Sequence, residues 1–272
     1  MKIFTESTNG FKACQRMNMT HNSIQLRDQK GVLFVTFNRP EAKNSINSVL
    51  VSEIRKALTQ AETDPSVKVV VLEGNATHFC TGMDFQAVSS GVGDLMADDP
   101  DGYYEMLKQI GGGSKVVISK VDGQVNAGGV GLVAASDLVI ASEKATFGLS
   151  EMLFGLLPAC VMPFLIRRVG VQKAQWMTLI TQGIPAQRAY EIGLVDEVSS
   201  NTADSLRRNL LRLTRLETNT IRNLKAYMSE LWIMNEQTQR LAVDKIASLI
   251  NSEQVQYNIK NFVTTGAFPW SK

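Results

Sequence analysis

Histidine is nearly absent from this 272-residue chain, which has only His21 and His78. Cysteine is scarce as well: Cys14, Cys80 and Cys160 are odd in number and lack paired spacing. Neither a metal site rich in these residues nor a disulfide framework is expected. Charge of one sign is lacking too, for the formal net charge is +2. That is too close to neutral to point to a nucleic-acid partner. No apolar run reaches membrane-spanning length, so no membrane role is expected. There is no low-complexity linker and no clear repeat. What remains is ordinary, with 44% hydrophobic and 20% charged residues, as in a soluble globular protein. The length suits one large domain, alone or with a small appendage. The opening "MKIFTESTNGFKACQRMNMTHN" has basic residues but no apolar centre, and is not read as a secretory signal. Residues 1–21 read as a loose extension, with Met17 and Met19 as alternative starts, and the cytoplasm is the expected location.

The segment "GVLFVTF" (31–37) alternates and is rich in β-formers, which predicts a strand. "SVLVSEIRKALTQAETD" (48–64) spaces Val49, Leu50, Ile54, Leu58 and Ala61 along one helical face. "VKVVVLEG" (67–74) is largely apolar, as in a strand covered on both faces. Strand, helix and strand in this order imply parallel pairing and a right-handed crossover. Another strand, "SKVVISKVDG" (114–123), leads to the glycine pair Gly128–Gly129, a short apolar helix and the strand "DLVIAS". After about residue 150 strand signals fade, and the chain reads as successive helices, including the stretch from Asn219 to Ile250. Two segments read as loops, "NATHFCTGMDF" (75–85) and "SSGVGDLMADDPDGYY" (89–104), the second as a mobile candidate lid. "GGGS" (111–114) lacks the Gly-Lys-Ser/Thr ending of a phosphate loop, so a helix end and a turn is the preferred reading.

Gly82–Met83 and Gly128–Gly129 are glycine turns that each follow a strand and lead towards a helix. Backbone N–H groups at a helix start are unpaired and point outward. Two that converge can hold a developing oxyanion, each lowering a barrier by about 3–4 kcal/mol. On spacing alone, a packing turn is the commoner meaning. Glu151 is the only charged side chain from Thr146 to Ile166. A carboxylate in apolar surroundings has a raised pKa and suits acid–base work. A solvent-facing glutamate behind a Ser150 cap is the alternative. Cys80 reads as a buried structural thiol, His78 as a loop residue, and Asp84 as a cap or brace of its loop.

Taken in order, "NRPEAKNSIN", "HFCTGMDF", "DGQVNAGGVGLVAASDLVIAS", "ATFGLSEMLFGLLP" and "RAYEIGLVDEV" resemble the enoyl-CoA hydratase/isomerase (crotonase) superfamily, from about Val32 to Val198. The resemblance implies an α/β fold: a crotonase-like spiral of β-β-α units over residues 22–200, then a helical C-terminal trimerisation region over 201–272. It implies an acyl thioester whose enolate is held by the backbone N–H groups of Met83 and Gly128. Glu151 would serve the α-carbon, and Ala42, Asn44 and Ile46 would line the pantetheine arm. Hydratases of the superfamily carry a second glutamate, which would fall at position 131; here that residue is Gly131. Ordinary hydration of an unsubstituted enoyl thioester is therefore not expected, while isomerisation stays open.

"FCTGMDF", "VDGQVNAGGVGLVAASDLVI", "LLPACVMPFLIRR", "LRRNLLRLTRL", "NLKAYMSELW" and the closing "FPW" resemble one subfamily, the dehydratases of polyketide β-branching cassettes. This implies dehydration of a 3-hydroxy-3-methylglutaryl group to 3-methylglutaconyl on an acyl carrier protein that bears a phosphopantetheine thioester. A homotrimer or hexamer is implied, and no cofactor is expected. One glutamate would take the α-proton and pass it to the departing hydroxyl on the same face. The distal carboxylate calls for an Arg or Lys that the sequence does not place. Arg167, Arg168, Arg207, Arg208 and Lys225 either meet the acidic carrier or form solvated helix faces. The alternatives are an enoyl thioester isomerase, a decarboxylase, or a scaffold without chemistry.

Overall fold

The computed structural model describes residues 22–85, 99–231 and 235–270. The expected extension over 1–21 and most of the candidate lid over 89–104 lie outside them. The described chain opens with β1 (Ile24–Gln29) antiparallel to β2 (Val32–Phe37). Helix α1 (Ser48–Thr63) follows, capped by the Asn47 side chain, which accepts from Leu50 N–H. Of its predicted face, Leu50, Ile54, Leu58 and Ala61 are buried, while Val49 in the first turn is only half-buried. Strand β3 (Val69–Glu73) then pairs parallel with β2.

From here a unit of two strands and a helix repeats. β3 is followed by β4 (His78–Cys80) and α2 (Pro100–Gly112), and β5 (Val116–Val121) by β6 (Gln124–Asn126) and α3 (Gly128–Ala135). In the third unit, β7 (Leu138–Ser142) and β8 (Thr146–Gly148) lead through a 3-10 turn at Glu151–Phe154 into α4 (Met162–Ile180). The first strand of each unit joins a six-stranded sheet ordered β1-β2-β3-β5-β7-β10, where β10 is Glu197–Ser199. The second joins a four-stranded sheet ordered β4-β6-β8-β9, where β9 is Ile184–Pro185. Among the described residues the antiparallel pairs are β1 with β2 and β8 with β9. Parallel strands covered on both faces need continuous apolar runs, and Val69–Leu72 is buried throughout. Helix α3 lies between layers with every residue buried, which explains its apolar character all round.

Three readings need correction. Residues 75–85 are not a plain loop, since they contain β4. Strands do occur after residue 150, as β9 and β10. The hairpin strand β1 also went unread. β4, β9 and β10 span two or three residues each, too few to show a period. The "GGGS" turn is occupied by protein: the Ser114 N–H and hydroxyl donate to the Glu62 carboxylate at 2.7 and 2.5 Å. A carboxylate there leaves no place for a phosphate.

The remaining helices are α5 (Ala186–Glu191), α6 (Thr202–Leu213), α7 (Thr218–Glu230), α8 (Glu236–Ile250) and α9 (Glu253–Thr265). Ile246, Ile250, Val255 and Ile259 join the same core as Val70 and Phe79. Several basic residues considered for carrier contact are instead used inside the fold. Arg167 donates to the carbonyls of Ala134 and Ala135 at the end of α3. Arg168 donates to Leu194 and Ser136 carbonyls and pairs with Asp196. Lys225 is buried, and its Nζ donates to the carbonyls of Ile110 and Lys115 and to Asp137 at 2.7 Å. Arg207 and Arg208 stay exposed, paired with Asp204 and Glu197. Lys225→Ala is expected to cost about 3 kcal/mol, because it strands the partners of a buried cation. A urea midpoint matching the parent, with a raised carrier KM, would instead return Lys225 to the surface role.

Candidate active site

Three adjacent strands of the smaller sheet end side by side. β4, β6 and β8 are parallel, with Cys80 opposite Val125 and Asn126 opposite Gly148. Met83 lies three residues past Cys80, Gly128 two past Asn126, and Glu151 three past Gly148. All three therefore emerge at the carboxyl ends of parallel strands, where α/β sheets place their ligand crevices. A cavity of about 660 Å³ opens there, lined by Met83, Gly128, Glu151, Tyr103, Cys160 and Ala42 among others.

The backbone of the first turn is aimed by a bridge to residue 46. Ile46 N–H donates to Gly82 O at 2.7 Å, and Asp84 N–H donates to Ile46 O at 3.1 Å. Ile46 thus spends both its groups on the neighbours of Met83, and the N–H of Met83 faces away from it. The loop is braced again by Arg39, whose guanidinium pairs with Asp84 at 3.0 Å, while the Ser45 hydroxyl donates to the same carboxylate oxygen at 3.1 Å. The second turn is aimed by Ala127, held at φ 48° and ψ −121° as α3 begins. An alanine there is strained by roughly 1–3 kcal/mol. The two turns touch. A Cβ on Gly82 would lie 2.5 Å from Ala127 Cβ and 3.4 Å from Gly128 N. Among the described residues, neither the Met83 nor the Gly128 N–H meets a hydrogen-bond acceptor.

Glu151 opens the 3-10 turn, and Ser150 makes no side-chain cap. Its Oε2 is buried without a hydrogen-bond partner. Burial pushes the carboxyl up to about 7, partly offset by the nearby N–H groups of Glu151 and Ser150. The solvent-facing alternative does not hold. Phe85, Phe154 and Phe262 pack edge to face, and Phe268 lies tilted against Phe262, forming an aromatic wall along the cavity.

Of the residues expected along the pantetheine arm, Ala42 lines the cavity, as do its neighbours Lys43 and Ser45. Asn44 and Ile46 do not, which corrects that expectation. The Asn44 amide bonds Arg39 N–H and His78 O, and Ile46 is buried in the core. Alternation along the turn puts the small and polar side chains outward and these two inward. His78 lies on β4, away from the cavity lining. Cys80 is fully buried, and burial pushes its thiol up to about 12, so it is no nucleophile. Lys43 is the one cation among the described lining residues. Sequence reasoning missed Arg39, Ser45 and Tyr103; their roles rest on partners 25 to 45 residues away. Among the described residues no cluster of three or more His, Cys, Asp or Glu is placed for a metal. None of their helices is long and apolar enough to cross a membrane.

Comparison with known proteins matches residues 27–272 to the model of the enoyl-CoA hydratase/isomerase family. The chain belongs to that family. Within the enoyl-CoA hydratase/isomerase family it is 43% identical to the bacillaene synthase dehydratase PksH of Bacillus subtilis, over 93% of this chain and 98% of PksH. It is 30% identical to the mevalonyl-coenzyme A hydratase sidH of Aspergillus fumigatus, over 88% of this chain and 91% of that one. The crystal structure of B. subtilis PksH superposes with a TM-score of 0.86 at 42% identity, covering 92% of this chain and all of that one. The fold is thus the crotonase fold, and the protein is a lyase of the hydratase/dehydratase type.

Proposed function

We propose that the protein dehydrates a 3-hydroxy-3-methylglutaryl thioester on an acyl carrier protein to the 3-methylglutaconyl thioester. The observation that carries this reading is the pair of outward N–H groups at Met83 and Gly128 beside Glu151, whose buried Oε2 has no hydrogen-bond partner and which is the one such carboxylate among the described lining residues. The other lining acids are otherwise placed, since Glu41 is exposed and Asp84 is paired with Arg39. The thioester oxygen accepts from Met83 and Gly128, which lowers the cost of the enolate. Glu151 takes the α-proton; the C–H electrons become the new double bond as the C3–O bond breaks. Glu151 then returns its proton to the departing hydroxyl, and water leaves. A carboxyl near 7 suits both halves of this exchange at neutral pH.

Two relatives lend support by their names. One is a dehydratase of a polyketide synthase, and the other acts on mevalonyl-CoA, whose C3 also bears a methyl and a hydroxyl. Ala42 and Lys43 at the cavity edge suit a phosphopantetheine arm. A homotrimer or hexamer is favoured by the exposed stripe of Leu224, Tyr227 and Met228 on α7, continued by Leu231 at its C-cap, which repeats with helical spacing. A cytoplasmic location fits carrier-protein chemistry.

The test is to incubate the protein with the loaded carrier and weigh the acyl group. Loss of one water is expected. On a 3-methylglutaconyl carrier, whose conjugated double bond can accept the electrons, loss of carbon dioxide would mean a decarboxylase, and unchanged mass on both carriers an isomerase or scaffold. In steady state kcat/KM should fall from the carrier-bound substrate to 3-hydroxy-3-methylglutaryl-CoA by about tenfold or more, since remote contacts help to position the reacting carbons. Crotonyl-CoA hydration should be slower still. Crotonyl-CoA rates equal to the carrier-bound rate would overturn the assignment.

A further inference from the structure

Gly131 is bare because another residue's side chain stands against it. A Cβ at that position would lie 2.2 Å from Tyr103 Oη, with Val161 Cγ2 at 3.1 Å and Leu107 Cδ1 at 3.2 Å. Val161 and Leu107 are ordinary core neighbours. The phenol is different. It reaches this point from α2, is only 1% exposed, and borders the cavity. Its hydroxyl donates to Gly128 O at 2.6 Å. Tyr103 Oη therefore sits across the inner face of α3, against residues 128 and 131, one turn apart. Burial above all, then Cys160, Cys80 and Glu151 nearby, holds the phenol well above its usual range. It stays neutral, with its one proton committed to Gly128 O and a lone pair still available.

We infer that Tyr103 takes the place of the carboxylate absent from position 131 and orients the substrate. Its oxygen accepts a hydrogen bond from the β-hydroxyl and fills the space from which water would approach an unsubstituted β-carbon. The inference rests on the dehydratase reading for its substrate. A carboxylate there would act as a second base towards water; a neutral phenol holds a hydroxyl without deprotonating it. Among the described lining residues Glu151 is left as the proton carrier, and the hydroxyl is held where Glu151 can protonate it. The tyrosine and the glycine form one device, because residue 131 cannot carry a side chain while the phenol is present.

The first experiment compares Tyr103→Phe with the parent in two reactions. One is dehydration of the loaded carrier. The other is solvent-deuterium exchange at the α-carbon of a carrier-bound 3-methylglutaryl group, which has no β-hydroxyl and uses only Met83, Gly128 and Glu151. Dehydration kcat should fall about tenfold, as for loss of a hydrogen bond to a reacting group. KM and the exchange rate should each move less than about twofold. Equal losses in both reactions would show that Tyr103 acts only by bracing Gly128, and unchanged dehydration would show that it does not orient the hydroxyl. Either result overturns the inference. The second experiment reads crotonyl-CoA hydration in Gly131→Glu and in Tyr103→Leu/Gly131→Glu. Only the double variant should gain, by about tenfold or more over the parent. A gain in the single variant, or none in a folded double variant, would overturn the replacement. A parent that leaves the loaded carrier intact fails the dehydratase reading itself, and the crotonyl-CoA arm still reports on the Tyr103–Gly131 pair.

Discussion

Glu151→Gln is expected to give a folded protein that has lost about 10²- to 10⁴-fold in turnover and gained stability at alkaline pH. The amide keeps the shape of the side chain but cannot take the α-proton. In the parent, kcat/KM should rise with pH through an acid limb near 7, where the carboxyl ionises. The stability change has a definite sign. The folded value of about 7 lies above the ordinary glutamate value near 4.3. Between those pH values the unfolded chain has released a proton that the folded chain still holds. Parent stability therefore falls as pH rises across this window, by up to roughly 3 kcal/mol from this group. Glu151→Gln removes the penalty, so its Tm should exceed the parent's at pH 8 and approach it below about pH 4. Turnover above about a third of normal would remove Glu151 as the base. Equal Tm values at pH 8 would show that the carboxylate is better solvated than its burial implies.

Gly128→Val is expected to lower turnover by about 10²-fold or more. A Cβ at residue 128 would stand 2.9 Å from Ile46 Cδ1 and 3.3 Å from Tyr103 Oη. Ile46 is buried and bridged to both neighbours of Met83. A β-branched side chain would therefore push on the two turns that aim the oxyanion donors. Overpacking of this kind costs about 1–3 kcal/mol in stability, so a folded variant should be recoverable. Gly128→Ala makes the milder comparison, since the end of the Ile46 side chain can give a few tenths of an ångström. The measurement is kcat/KM on the loaded carrier, with circular dichroism as the check on folding. Normal turnover in a folded Gly128→Val protein would take Gly128 out of the oxyanion site.

Gly128 and Gly129 are bare because protein atoms stand against both. Gly129 lies against the Cys80 carbonyl, 2.5 Å from where its Cβ would be. Gly128 lies against Ile46 and Tyr103. Close packing of α3 on β4 and α2 demands the glycines, and the same approach brings the Met83 and Gly128 turns together.

Residues 31–74 carried their structure in local pattern: an alternating strand, a 3.6-residue apolar stripe and a buried strand, which together require parallel pairing. Glu151, isolated in an apolar stretch, was equally legible, because its exceptional character is compositional. Strands β4 and β9 were not legible, since two or three residues hold no period and pair only because the larger sheet brings them alongside. Tertiary structure alone decided which side chains reach the cavity. It turned Asn44 and Ile46 inward, used Arg167, Arg168 and Lys225 on interior carbonyls, and set the Tyr103 phenol against Gly131. The physical reason is one of range. Element type follows from neighbours three or four residues apart, whereas these contacts join residues tens of positions apart, and their directions exist only once the layers have packed.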